Sequence, residues 1–141
     1  MMDKNSRSIA ECHCLNLRWI TYRTIGLYDK FLEPVGITVQ QYSVLKSITN
    51  LSPITLTDLA VKLQLDRTTL SRNVKILSDR QFVAYTIPKG RGKQLALTEL
   101  GKKTMSLANV EWEKAQQEFA DKLGPERLNQ WNELLTCLLA E

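Results

Sequence analysis

The sequence predicts a mainly α fold with a small β-hairpin, and three observations carry that reading. Residues 55–98 hold two short amphipathic helical stretches around a tight turn, followed by an alternating, glycine-punctuated pair of strands. Longer helical stretches with apolar stripes flank this unit on both sides. The positive charge of the chain is concentrated in the same unit: Lys62 to Lys103 carries ten Lys/Arg against three Asp/Glu, a net +7, whereas the remainder carries nine against twelve, a net −3.

In chain order, a long first helix is expected from about Ser8 to Leu32, where Pro34-Val35-Gly36 cannot continue it. Thr38-Val39-Gln40-Gln41 has the spacing of a capping box and opens a helix with Tyr42, Leu45 and Ile48 on its buried face. Thr55 caps a short helix carrying Leu56, Leu59, Ala60 and Leu63. Asp66 caps the next, which runs to about Arg80. Its Leu70, Val74 and Leu77 fall at i, i+4 and i+7, while Arg67, Thr68, Thr69, Ser71, Arg72 and Lys75 take the other face. Val83, Tyr85 and Ile87 alternate, as do Leu95 and Leu97, on either side of Pro88-Lys89-Gly90-Arg91-Gly92-Lys93, which reads as a hairpin tip. A long helix follows from Thr98 to about Leu123. Gly124-Pro125 separates it from a last helix with Leu128, Trp131, Leu135 and Leu138 on one stripe.

The fold class is therefore a winged helix-turn-helix flanked by long N- and C-terminal dimerisation helices. Its expected units are 1–34 (N-terminal dimerisation helix), 35–98 (DNA-binding domain) and 99–141 (C-terminal dimerisation helices). The terminal stripes offer more apolar surface than a small winged domain covers, so a homodimer is expected. With 141 residues, 43% of them hydrophobic, the chain can bury a core. No apolar run approaches the about 18–20 residues of a membrane span, and the polar Met1–Ser8 lacks the apolar region of a signal peptide. A cytoplasmic protein is expected, with no membrane partner.

These residues resemble the MarR family of winged helix-turn-helix transcriptional regulators. The resemblance rests on Gly36-Ile37-Thr38 with Gln41-Tyr42 and Leu45, and on Thr55-Leu56-Thr57-Asp58-Leu59-Ala60 with Leu63 and the run Leu65 to Arg72. Arg91 followed by Leu95-Ala96-Leu97-Thr98-Glu99-Leu100-Gly101 completes it. It covers nearly the whole chain. Three features depart from the family pattern. Lys89 stands where an Asp usually precedes the wing arginine, Gln81 stands where a glycine usually ends the recognition helix, and the Cys12-His13-Cys14 cluster is additional.

The resemblance implies a regulator that occupies promoter DNA, with repression the default. The helix opened by Asp66 would lie in the major groove of double-stranded DNA. Thr68, Thr69 and Ser71 are short enough for close approach, and Arg72 suits a bidentate contact to guanine. Arg67 and Lys75 suit phosphates. By resemblance Arg91 enters the minor groove, with Lys89 and Lys93 beside it. Two heads on a two-fold axis would read an inverted-repeat operator with half-sites about one helical turn apart.

Regulators of this kind answer to a small molecule or to oxidation. Cys12, Leu15, Trp19, Tyr22 and Gly26 form one stripe of the first helix, and Trp19, Tyr22 and Tyr42 are candidates to line a pocket for a small aromatic effector; an ordinary core stripe has the same spacing. Cys12, Cys14 and Cys137 form an odd thiol set that suits redox sensing or plain small-residue packing. On one helix Cys12 and Cys14 would lie about 200° apart and could pair with each other only if the segment frays, while each could also face Cys137 of the partner chain. One His and three Cys make a zinc site an unfavoured reading. No phosphate-binding glycine loop, paired acids or nucleophile motif points to an enzyme, and no cofactor is expected. A helical protein–protein adaptor that uses the wing on a partner is the competing class.

Overall fold

The computed structural model describes residues 11–87, 90 and 92–140. Helix α1 spans His13–Leu32, with Cys12 as an extended N-cap that makes no side-chain cap bond. The start expected near Ser8 is therefore corrected: Glu11 and Cys12 are not helical, and residues 8–10 lie outside the described residues. Glu11 through Cys14 are exposed, and the first half-buried side chain is Leu15.

A 3₁₀ turn over Glu33–Val35 and a left-handed Gly36 (φ 78°) reverse the chain into α2, Val39–Leu51. The capping box forms as the sequence predicts: Thr38 accepts from the Gln41 amide and the Gln41 side chain accepts from the Thr38 amide. The Asp29 carboxylate accepts from the Val39 amide at 2.7 Å and ties α1 to this cap. Tyr42, Leu45 and Ile48 are buried as expected, and Val44 joins them.

Strand β1, Ile54–Thr55, leads into α3, Leu56–Leu63, and the turn after it places Gln64 at φ 51°. Helix α4, Arg67–Asp79, buries Leu70, Val74 and Leu77 completely. Strands β2 (Val83–Thr86) and β3 (Gln94–Leu97) complete an antiparallel sheet of order β1-β3-β2, in which Ile54 opposes Leu95 and Val83 opposes Leu97. The expected hairpin is thus two of three strands. A two-residue strand behind Pro53 is too short to show alternation. Alternation on β2 also overstates burial: Val83 is buried, but Tyr85 and Ile87 are exposed because the hairpin runs out beyond the core.

Helix α5, Glu99–Leu123, starts against the foot of the wing. The Thr98 amide donates to the Phe82 carbonyl (3.0 Å), its hydroxyl donates to the Gln81 carbonyl, and the same oxygen accepts from the Gly101 amide. Gln81 is left-handed at φ 63°, the conformation for which a glycine is usual, at a cost of about 1 kcal/mol for a side chain. Arg80, the C-cap of α4, donates to the Gly36 carbonyl at 2.5 Å and lies 4.6 Å from the Phe82 ring centroid. The end of α4, the start of the wing, the start of α5 and the α1–α2 turn are therefore fastened at one point.

The core joins α2, α3, α4 and the sheet to Leu32 of α1 and to Met105 and Ala108 of α5. Farther along α5, Trp112 stacks on Tyr42 with centroids 5.6 Å apart, and the Tyr42 hydroxyl donates to Asn109 at 2.9 Å. Helix α6, Pro125–Leu139, has no fully buried residue: Leu128, Trp131 and Leu135 are half-buried and Leu138 is exposed.

Candidate nucleic-acid interface

Burial of Leu70, Val74 and Leu77 fixes which face of α4 is outward. Arg67, Thr68, Ser71, Arg72 and Lys75 all lie on that exposed face. At its N-terminus the Asp66 carboxylate accepts from both the amide (2.8 Å) and the hydroxyl (2.5 Å) of Thr69. Thr69 is half-buried, and its carbonyl accepts the Asn73 amide at 3.1 Å. Its hydroxyl thus serves the helix cap, which sets it apart from Thr68 and Ser71.

The two bonds from Thr69, its hydroxyl first, hold the Asp66 carboxyl below the ordinary carboxylate value of 3.8, and the positive charge of Arg72 adds a smaller pull in the same direction. A depressed folded-state pKa means that the cap stabilises the ionised form. Its contribution is complete above pH 3.8 and disappears as the pH falls below that through the folded value. Asparagine caps as well as aspartate but does not titrate there. Asp66→Asn should therefore lose less stability than the wild type between neutral pH and about pH 3, as thermal melts would show; parallel losses would mean that the cap does not titrate with folding.

The sequence assigned Lys75 to the same exposed surface, and the structure gives it a local partner: its ammonium lies 2.8 Å from Asp79, one helical turn away. Both side chains are well exposed, so the pair is worth only about 0.2–1 kcal/mol and can open. Lys93 stands at the wing with its ammonium 5.6 Å from the Tyr85 ring centroid. Lys89 and Arg91 lie outside the described residues.

The structure does not bring Trp19, Tyr22 and Tyr42 together. Trp19 and Tyr22 sit on the outer half of α1, the latter 79% exposed, while Tyr42 is buried and held by Trp112 and Asn109. Helix α1 packs on α5 around Tyr28 and Gln116, beyond Trp19 and Tyr22. The cavity lies one turn farther along: about 510 Å³ between α1, α5, α6 and the start of α2, lined by Thr24, Ile25, Tyr28, Val39, Gln116, Phe119, Leu128, Trp131 and Asn132 among others. The Tyr28 hydroxyl donates to Gln116, Phe119 and Trp131 form a tilted ring pair 6.2 Å apart, and burial pushes the Tyr28 phenol above its usual value. The signal for this site was the aromatic pair flanking Gly124-Pro125, not the first helix alone.

Cys12, Cys14 and Cys137 are all exposed, free thiols. Cys12 is the cap and Cys14 lies in the first turn of α1, so the two do not share a regular helix as the sequence suggested. Among the described residues, no three His, Cys, Asp or Glu side chains gather where they could hold a metal ion, and no helix is long and apolar enough to cross a membrane.

A helix-turn-helix with an exposed cationic and hydroxyl-rich second helix, a three-stranded wing and long terminal helices defines a winged-helix, DNA-binding transcriptional regulator. Residues 37–88 match the MarR family model. Three solved structures extend the likeness to almost the whole chain. The M. tuberculosis transcriptional regulator MosR in complex with DNA is 28% identical, covers 89% of this chain and 93% of its own, and superposes with a TM-score of 0.75. The S. aureus MepR–DNA complex is 22% identical, with coverage of 92% and 98% and a TM-score of 0.81. CouR from Rhodococcus jostii bound to p-coumaroyl-CoA is 23% identical, with coverage of 94% and 95% and a TM-score of 0.75. No curated protein matches the sequence. The match to the MarR family of transcriptional regulators covers residues 37–88, and the solved structures carry the same fold across most of the chain.

Proposed function

We propose that the chain is a homodimeric, sequence-specific repressor that leaves its operator when a small aromatic ligand binds or when its thiols are oxidised. The observation that carries this reading is the outward face of α4: Arg67, Thr68, Ser71, Arg72 and Lys75 are exposed while the opposite face is completely buried. In this reading Arg72 makes the base contact, and Arg67, Lys75, Lys89 and Lys93 hold phosphates. Arg91 enters the minor groove, and Thr69 contributes by setting the helix start. Residues 35–98 form the reading domain, between dimerisation segments 1–34 and 99–141.

Dimerisation is supported by the unfinished packing of the terminal helices. Leu17 and Ile20 of α1, Leu107 and Val110 of α5, and Leu134, Leu138 and Leu139 of α6 are all exposed in the single chain. Large apolar side chains left open on all three terminal helices favour a covering partner over free solvent. We place the effector in the Tyr28–Phe119–Trp131 cavity, whose lining carries no charged side chain and therefore favours a neutral aromatic over an anion. The thiol branch is supported by the exposure of Cys12, Cys14 and Cys137. The expected place of action is the cytoplasm, on double-stranded promoter DNA containing an inverted repeat.

Sedimentation of the reduced protein with an operator duplex, before and after mild peroxide and with a panel of phenols, tests this reading. Two chains per duplex and release by one of the treatments are expected. A single chain per duplex would contradict the dimer, and a complex untouched by every treatment would contradict the switch.

A further inference from the structure

Two struts join the reading domain to the terminal helices. One is α1, which enters the domain at the buried Leu32 and turns through Glu33–Val35 and Gly36; the other is α5, which leaves it past Met105 and Ala108. The α5 strut is fastened to the foot of the wing by the amide and hydroxyl of Thr98. The α1 strut is fastened to the C-terminal end of α4 by the Arg80 guanidinium, whose Nη1 donates to the Gly36 carbonyl at 2.5 Å. We propose that Arg80 is a positioning residue that sets the tilt of α4 against the terminal helices, and so determines which half-site spacing the dimer accepts. The proposal rests on the dimeric DNA-binding reading above and names what fixes its geometry.

Both partners of this bond are held. Gly36 is left-handed at φ 78° and its amide donates to the Leu32 and Glu33 carbonyls, so its own carbonyl has a fixed direction. A Cβ at that position would lie 3.2 Å from Nη2, and its absence lets the guanidinium come in close. On the other side the guanidinium carbon lies 4.6 Å from the centroid of the buried Phe82 ring. A planar cation with a ring on one face and a carbonyl at its edge has little freedom left. Among the described residues no carboxylate forms an ion pair with Arg80, so the Gly36 carbonyl has no acidic competitor. The bond from the Val39 amide to Asp29 ties α1 to α2 and does not reach α4.

A small tilt at this corner is magnified along α4. Arg72 precedes Arg80 by about 12 Å of helix axis at about 1.5 Å per residue. A tilt of about 5–10° about the Arg80 end therefore moves Arg72 by about 1–2 Å. Two-fold symmetry doubles the change between the heads to as much as about 4 Å, against a rise of about 3.4 Å for one base pair. The Asp66 cap at the other end of α4 cannot correct this, because its partner is Thr69 of the same helix.

The test is fluorescence anisotropy with the purified chain and the inverted repeat that it enriches from a randomised duplex library. Affinity for that repeat is divided by affinity for copies with a single base pair inserted or removed between the half-sites, with thermal melts as the check on folding. Arg80→Gln should remain folded and shrink this ratio by about two- to thirtyfold. Arg80→Lys, which keeps the charge but loses the plane that stacks on Phe82, should give a ratio between those of Arg80→Gln and the wild type. The lost positive charge weakens every duplex alike and cancels in the ratio. A wild-type ratio in both variants, even with equally weakened binding to all duplexes, would overturn the positioning role while leaving DNA binding in place. A wild type indifferent to spacing would instead overturn the two-fold reading beneath the proposal, and the proposal with it.

Discussion

Gly101→Ala should destabilise the chain by about 3 kcal/mol, lowering its melting temperature by about 10 °C. Helix propensity alone gives the opposite sign. Gly101 lies in the first turn of α5, where alanine ordinarily gains about 0.5–1 kcal/mol over glycine. Sterics reverse it. A Cβ built on Gly101 falls 2.0 Å from the Phe82 carbonyl oxygen and 3.0 Å from its carbonyl carbon. Both are backbone atoms with no rotamer to change, and that oxygen already accepts the Thr98 amide. Relief therefore requires α5 to lift off the foot of the wing, loosening the Thr98 bonds to Gln81 and Phe82 along with it. Thermal unfolding followed by circular dichroism decides the matter: a melting point equal to or above that of the wild type would mean that α5 does not sit on Phe82 as described.

Arg72→Ala should remove site preference at one base pair of each half-site while leaving general DNA affinity largely intact. Arg72 is exposed on the outward face of α4, and no ion pair with it is found among the described residues. A bidentate guanidinium–guanine contact is worth about 1–3 kcal/mol of discrimination, so a dimer using two of them loses about 2–6 kcal/mol between its operator and a substituted site. The measurement compares affinities for the operator and for a duplex in which the contacted guanine is exchanged. An unchanged ratio would assign the readout to other residues, with Thr68 and Ser71 the next to examine.

Much of the reading head was legible because its signals are local. Caps at Thr38, Thr55 and Asp66 are side-chain-to-backbone bonds spanning three residues, and each forms as its spacing implies. The i, i+4, i+7 stripe of Leu70, Val74 and Leu77 likewise needs only the helical period. Gln81 showed its left-handed backbone through the absence of an expected glycine. What stayed hidden depends on partners distant in sequence. Strand β1 exists because Ile54 and Thr55 find Leu95 and Gln94, forty residues on, and two residues carry no period. The reservation of Thr69 for Asp66 is a matter of rotamer. The aromatic cavity combines α1, α5 and α6, so a stripe read on α1 alone does not reveal it. The start of α1 was placed too early because nothing within the segment announces that Glu11 and Cys12 stay outside the helix.

The anchored point around Arg80 and Gly36 bears on how a ligand would be felt at the DNA. Val39 lines the cavity, its amide is held by Asp29, and three residues earlier the Gly36 carbonyl accepts Arg80 from the end of α4. A displacement of the α1–α2 turn would therefore reach the recognition helix through one charged hydrogen bond, a short physical route between the proposed effector site and the reading head.

The account stands on α4 reading duplex DNA, and selection from a randomised duplex library with the purified, reduced chain tests that most directly. The predicted result is enrichment of an inverted repeat whose half-sites are about one helical turn apart, centred on the base pairs that Arg72 reaches. No enriched sequence at low salt, where phosphate contacts are strongest, would contradict it.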